Sequence, residues 1–321
     1  MRIATFNLES LDLSPGGESA FQRRAAVLAP QLDRLHADIL CLQEVNGQHV
    51  PGQALRRLVA LERLLAETAY RNFHVFGAGG SPEKPIADVH NLVVVSRWPA
   101  RHSEALRHRL VPPLPYRSVT ATPEATRELT LTWDRPLLHA LFDLPSGRAL
   151  HVVNLHLRSP LAAPIPGHKL DADRWGSLGG WAEGYFTATM KRSGQALEAR
   201  LLAEQVFDAD PDALLAVCGD LNAGEEETPS RILQAGVEDS GNAVLAGRAL
   251  EALELRLPEE RRFTLRHGGR RRMLDHILCS PALAARCTAV AVDNTDLADE
   301  TAMVADDPRS NHAPLVADFG I

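Results

Sequence analysis

The hydrophobic and polar positions of this chain follow two rhythms. Short apolar runs bounded by turn residues predict strands at residues 2–8, 38–45, 73–77, 91–96, 213–217, 273–280, 289–292 and 315–319. A Gly/Pro-rich turn at 77–85 divides the third of these from the fourth. Residues 137–144 and 150–155 predict a hairpin across Pro145-Ser146-Gly147. The second rhythm is helical. Phe21, Ala25, Leu28, Leu32 and Leu35 recur at spacings of three and four within 18–37, and similar patterns mark 55–68 and 193–207. Residues 229–235 predict a short helix, and 248–257 are a further candidate. Residues 101–135 show no regular pattern. Residues 158–190, rich in Gly, Pro and aromatics, read as an inserted loop. No repeat or linker divides the chain. The expectation is one α/β domain over residues 1–321, with two mixed β-sheets packed face to face and helices on the outside.

The strands end in polar residues of one chemical kind. The first ends at Asn7 and the second at Gln43-Glu44. The hairpin arm ends in Asn154 and His156, which share a strand face, since alternate residues point the same way. The apolar run 213–217 leads into Cys218-Gly219-Asp220-Leu221-Asn222, so Asp220 and Asn222 also point together. Taken alone, that stretch reads equally well as a strand and turn or as a rim delivering an acid and an amide. Asp275 lies within Leu274-Asp275-His276, and His312 within Ser310-Asn311-His312-Ala313-Pro314. His276 falls on the strand face opposite Asp275 and reads as structural. Carboxylates, amides and imidazoles at strand ends, without a Ser or Cys nucleophile, point to metal-assisted hydrolysis by water.

Composition narrows the partners. The 34 basic against 41 acidic residues leave a net charge of −7, which disfavours nucleic-acid binding through broad electrostatics while leaving a carboxylate-rich nuclease site open. Cys41, Cys218, Cys279 and Cys287 lack C-x-x-C spacing and read as reduced thiols. No apolar run approaches the ~20 residues of a membrane span, and Arg2-Ile3-Ala4-Thr5-Phe6-Asn7 reads as a strand with no leader pattern. A cytoplasmic monomer is the expectation.

Six weak motifs in one order make a joint signal that each lacks alone. Together they resemble the endonuclease/exonuclease/phosphatase superfamily, which includes deoxyribonuclease I, abasic-site exonucleases, sphingomyelinases and inositol-polyphosphate 5-phosphatases. The resemblance runs from Thr5-Phe6-Asn7 to Asn311-His312, and Ser96-Arg97-Trp98-Pro99 fits it too. It implies a four-layered α/β sandwich and Mg²⁺- or Mn²⁺-dependent attack of water on a phosphoester. By the resemblance, Glu44 binds the metal and Asn7 is a direct or indirect metal partner. Asp220 orients or deprotonates the water, and Asn222 holds the phosphoryl group. Asn154 and His156 donate to phosphate oxygens. Asp275 orients His312, which acts as a base or as a cation facing the phosphate.

One position departs. The family has Ser-Asp-His where this chain has Ser310-Asn311-His312. An amide oxygen still coordinates Mg²⁺ but brings less charge. Weaker metal binding, a different stoichiometry and a fold kept for binding are the three readings, and the intact remainder favours retained activity. Substrate choice belongs to the loops. The insertion is either a lid over the site, through its aromatics with Lys169 and Arg174, or a loop with its own aromatic cluster. The Arg266–Arg272 run is either a site for further phosphates or a solvated hairpin. Three functions follow: a phosphodiesterase on nucleic acid or a nucleotide-like diester, a phosphomonoesterase on a small metabolite or lipid headgroup, and a binding protein.

Overall fold

The computed structural model of the chain describes residues 1–13, 17–304 and 307–321. In chain order the strands begin with β1 (Arg2–Leu11), β2 (Ile39–Val45), β3 (His74–Ala78), β4 (Asn91–Ser96) and β5 (Ala100–Leu106). They continue through β6 (Leu114–Tyr116), β7 (Leu129–Leu131), β8 (Leu137–Asp143), β9 (Ala149–His156), β10 (Leu214–Asp220) and β11 (Glu251–Ala252). The last are β12 (Leu265–His267), β13 (Arg270–Arg272), β14 (Asp275–Cys279), β15 (Cys287–Val292) and β16 (Leu315–Phe319). The helices are α1 (Gly17–Leu35), α2 (Val59–Ala66), α3 (Leu178–Ala209), α4 (Thr228–Gln234), α5 (Val237–Ser240) and α6 (Pro281–Ala284).

Two six-stranded mixed sheets carry the structure, in the orders β15-β16-β1-β2-β4-β3 and β11-β14-β10-β9-β8-β5. Their facing sides share one core, where Ile3, Cys41 and Val94 of the first sheet meet Ala140, Val152, Cys218 and Ile277 of the second. The outer side of the first sheet packs against Phe21, Leu28 and Leu32 of α1 and Leu61 and Leu64 of α2. The outer side of the second packs against Ala196, Ala199, Leu202 and Phe207 of α3 and Leu233 of α4. The result is the expected four-layered sandwich. Burial of side chains such as Phe6, Phe142 and Trp133, all under 2 % exposed, supplies about 1.5–3 kcal/mol each. No helix among the described residues is long and apolar enough to cross a membrane.

Both sheets aim the same way because of their crossovers. β1 runs parallel to β2, and β9 parallel to β10. Parallel neighbours need a long return, here α1 and α3, and their carboxyl ends therefore gather at one rim. Gly219 serves this rim. Its φ is +141°, and a Cβ there would lie 1.9 Å from the Leu155 carbonyl oxygen, so only glycine lets β10 lie this close to β9.

Three sequence expectations change. Residues 100–106, inside the stretch expected to be irregular, form the edge strand β5. The insertion is loop only in its first part, because α3 begins at Leu178, capped by the Ser177 side chain accepting from the Gly180 amide. Residues 248–257 are not a helix but β11 followed by a single 3₁₀ turn.

Candidate active site

The rim joins residues more than 200 positions apart. Asn7, where the regular pairing of β1 with β2 breaks off, donates its side-chain amide to Glu44 Oε1 at 3.2 Å and to Asp220 Oδ2 at 3.0 Å. One amide thus holds two carboxylates, one from each sheet. Its oxygen accepts the Glu9 backbone N–H at 2.9 Å and keeps a second lone pair. Glu44 also accepts from Ser10 Oγ at 3.2 Å, and its side chain is 19 % exposed.

Asp220 is buried beneath this pair. Its Oδ1 accepts the Asn222 amide at 2.8 Å, and its Oδ2 lies 3.5 Å from His156 Nε2 and 3.8 Å from His312 Nε2. Burial and the nearby Asp275 carboxylate push its pKa up to about 6. His312 Nδ1 meets Asp275 Oδ2 at 2.7 Å. Burial alone would lower the His312 pKa, but Asp275 and Asp220 outweigh it and push it up to about 10, so the ring is an imidazolium at neutral pH. His156 is the opposite case. Burial, then Arg135 and His90, hold its pKa well below the ordinary value, so it is neutral. Its Nδ1 is buried without a partner.

The loop before β16 is tied down by Ser310, whose hydroxyl donates to the Asn7 carbonyl at 2.8 Å and accepts the His312 amide at 3.1 Å. Asn311 donates its backbone N–H to Glu9 Oε2 at 2.9 Å, and its own Oδ1 is buried without a partner. Asn222 donates from Nδ2 to the Leu157 carbonyl at 3.0 Å, and its carbonyl accepts from Arg192 of α3 at 3.1 Å.

Asn154 does not join them, which corrects its assignment to the phosphate. It is fully buried, donates to the Leu42 and Val93 carbonyls at 2.9 Å each, and accepts from Gln43 Nε2 at 2.7 Å. Every polar atom is committed to locking the two sheets together. It shares a face with His156 as expected, but it pairs with Cys218, two residues deeper than the His156–Asp220 level. His276 is structural, as read. Its Nδ1 is hydrogen-bonded to Glu254 and its Nε2 to the Ala223 carbonyl at 2.8 Å, with both side chains 1 % exposed.

The structure adds four residues that the pattern of strand ends did not reveal: Glu9, Ser10, His90 and Arg135. Ser10 Oγ lies 3.4 Å from His90 Nε2, whose ring meets Arg135 Nη2 at 3.0 Å through Nδ1. Burial lowers the Arg135 pKa against the pull of Glu44, Asp134 and Asp220, and its Nε is buried without a partner. Burial also raises the Glu9 pKa. Of the eight non-glycine residues with positive φ among those described, five stand here: Glu9, Ser10, Glu44, His90 and Asn222. Left-handed backbone at such residues carries a strain that surrounding contacts must hold, and it concentrates where function needs it. The Arg270–Arg272 strand is exposed and forms a hairpin with β12, with Arg271 donating to the Glu260 carbonyl at 3.1 Å.

A sequence comparison matches residues 4–297 to the endonuclease/exonuclease/phosphatase family. The chain belongs to this family. No curated protein matches it in sequence. Solved structures share its fold at low identity. An AP endonuclease from Archaeoglobus fulgidus is 19 % identical, with a TM-score of 0.53 over 100 % of both chains. A mannosyl-6-phosphatase from Bacteroides thetaiotaomicron is 14 % identical, with a TM-score of 0.60 over 100 % of both. A 3′ phosphatase from Neisseria, bound to product DNA hairpin, is 18 % identical, with a TM-score of 0.56 over 100 % of both. Membership makes the chain a phosphoester hydrolase by fold, and these relatives, acting on different esters, leave its own substrate to its own residues.

Proposed function

We propose that this family member is a divalent-metal-dependent phosphodiesterase in which Asp220 takes the proton of the attacking water. The observation that carries the reading is the Asn7 amide, which holds Glu44 and Asp220 side by side next to neutral His156 and the Asp275–His312 pair. The donors open at the rim are oxygens, which suit a hard cation. Glu44 would hold it, with the partnerless Asn311 Oδ1 and the Glu9 carboxylate beside Asn311. Asp220, Asp275 and His312 also bring three potential ligand atoms within 4.8 Å of one another. We place the cation at Glu44 instead, because His312 Nδ1 is already bonded to Asp275 at 2.7 Å.

When bound, Mg²⁺ or Mn²⁺ polarises the phosphoryl oxygens and lowers the pKa of water. The protein does the rest. His312 neutralises charge beside the buried carboxylates and offers Nε2–H to the phosphoryl group, while His156 Nε2 adds a donor without net charge. Asn222 is held by the Leu157 and Arg192 contacts with its amide against Asp220, positioned for the same group. Free cysteines at all four positions fit a reducing, cytoplasmic setting. The shared core supports the one-domain reading, and we take the chain as a monomer.

A second reading, phosphomonoesterase, draws on Arg135, a half-buried side chain whose buried, partnerless Nε would suit the extra charge of a terminal phosphate. Hydrolysis of bis-p-nitrophenyl phosphate and p-nitrophenyl phosphate with Mg²⁺ or Mn²⁺ separates the two. The expected result is turnover of the diester at least tenfold faster than the monoester, abolished by EDTA. Faster monoester turnover would install the second reading. No turnover of either, with no metal uptake by calorimetry, would leave a binding protein on the fold.

A further inference from the structure

Helix α3 mixes polar side chains into its apolar inward face and leaves three aromatic rings exposed. Its inward positions include Glu183, Arg192, Gln195, Glu198 and Arg200, all buried, while Trp181, Tyr185 and Phe186 are 44 %, 41 % and 51 % exposed. An ordinary surface helix does the reverse. The buried acids have structural employment: Glu183 accepts from the Val119 and Thr120 amides, and Glu198 from the Arg109 amide and Trp133 Nε1. Phe186 has a ring neighbour in Tyr116, 6.0 Å away, whereas Trp181 and Tyr185 are set against each other.

As the crossover between parallel β9 and β10, α3 runs antiparallel to both, so its amino-terminal half lies toward the rim that carries His156 and Asp220. Arg192 reaches the Asn222 carbonyl and so marks the level of the site. The helix extends a further ~20 Å beyond that level, at 1.5 Å per residue back to Leu178. Trp181 and Tyr185 stand eleven and seven residues before Arg192, within about 20° of the same helical row. That row packs on the second sheet through Ala196 and Ala199 and continues, toward the helix's amino end, as two partly exposed rings. The rings lie 5.6 Å apart, tilted by 31°. At the site level stand Lys191 and Arg158, whose heads share Asp134 at 3.3 and 2.5 Å and leave the trio one positive charge.

We propose that Trp181 and Tyr185 are a stacking platform for the bases of a single-stranded oligonucleotide whose scissile phosphate lies at Asp220. Exposed rings that follow along a helix from cations at a phosphate centre are a means by which single strands are held without sequence preference. The helical row accounts for the alignment, and the net charge of −7 accounts for the use of rings in place of a broad basic groove. The inference rests on the phosphodiesterase reading for the chemistry at the strand's end, while the platform itself is read by binding.

The test is fluorescence anisotropy of a labelled ten-nucleotide oligo(dT) with Mg²⁺, in the full chain carrying Asp220→Asn to prevent turnover. Adding Trp181→Ala and Tyr185→Ala should weaken binding at least tenfold, and Trp181→Phe with Tyr185→Phe should restore most of it. In the otherwise native chain, the alanine pair should leave bis-p-nitrophenyl phosphate hydrolysis within twofold. Unchanged oligonucleotide affinity in the alanine pair overturns the platform whether or not the protein is an enzyme. Failure of the phenylalanine pair to restore binding overturns it too, and so does loss of binding to anionic phospholipid vesicles instead of oligonucleotide. Absence of diester turnover with ring-dependent binding intact would remove the catalytic reading and keep the platform.

Discussion

Strand β14 carries the same chemistry on both faces. Asp275 and His276 are neighbours, each half of a buried carboxylate–imidazole pair, one with His312 and one with Glu254. Facing the other sheet, the Asp275–His312 pair has spare capacity: His312 Nε2 points at Asp220 from 3.8 Å, and Asp275 Oδ1 has no partner. Facing the helices, the His276–Glu254 pair has little left over. Both imidazole nitrogens are engaged, one with Glu254 and one with the Ala223 carbonyl, and Glu254 also accepts the Ile277 amide at 3.4 Å. Burial and pairing alone do not distinguish a reactive dyad from a structural one. Unspent hydrogen-bond capacity, aimed at a third group, does.

Breaking the open side should produce the largest effect. Asp220→Asn and His312→Ala are each expected to lower phosphodiester turnover by about 10²–10⁴-fold, as for loss of a general base or a charged donor, with the circular dichroism spectrum unchanged. The native pH profile sharpens the point. Asp220 must be ionised to accept a proton, so the rate should fall tenfold per unit as pH drops below about 6. An acid limb near the ordinary carboxylate range would remove Asp220 from the role of base.

The closed side should respond in stability instead. His276→Ala leaves the Glu254 carboxylate buried and alone, and is expected to cost about 3–5 kcal/mol in chemical denaturation. Turnover per folded molecule should stay within a few-fold. Burial lowers the His276 pKa, but Glu254 outweighs it, so the folded value stands above the unfolded ~6.5. The pair's contribution is therefore complete below pH 6.5 and is lost as pH rises through the folded value, so the stability gap between native and variant should narrow in alkaline buffer. A gap that widened there would mean that the pair is not charged. The smallest effect is expected from Asn311→Asp: Mg²⁺ binding about tenfold tighter by calorimetry, through one added carboxylate, with turnover changed only a few-fold. Unchanged affinity would take position 311 away from the cation.

The sandwich was legible because its inner strands are apolar without interruption, and β4 and β16 lie where the pattern put them. The site was legible to the extent that it is made of strand ends. Glu44, His156 and Asp220 stand at the carboxyl ends of buried runs, and Asp275 at the start of β14, which runs antiparallel to β10 and so begins at the same rim. The rest depended on the fold. Ser10 sits in the irregular last part of β1 and His90 just before β4, both in a left-handed conformation that nothing in their own sequence announces. Arg135 precedes β8 in a stretch with no period. Asn154 was placed one level too high, because alternation gives the face of a strand but not the depth along it. The amino-terminal half of α3 read as loop because its inner face holds glutamate and arginine where a helix is expected to hold leucine.

The amide lock at Gln43 and Asn154 has a consequence for how this protein fails. Glu44 and His312 arrive on one leaf of the sandwich, Asp220 and His156 on the other, and neither leaf owns a working half. Apolar packing tolerates sliding, whereas a directional bond such as the 2.7 Å contact between these two amides does not. The register between the leaves is therefore what brings these four side chains to one mouth, and a slip along that seam would part them while every helix and strand remained in place.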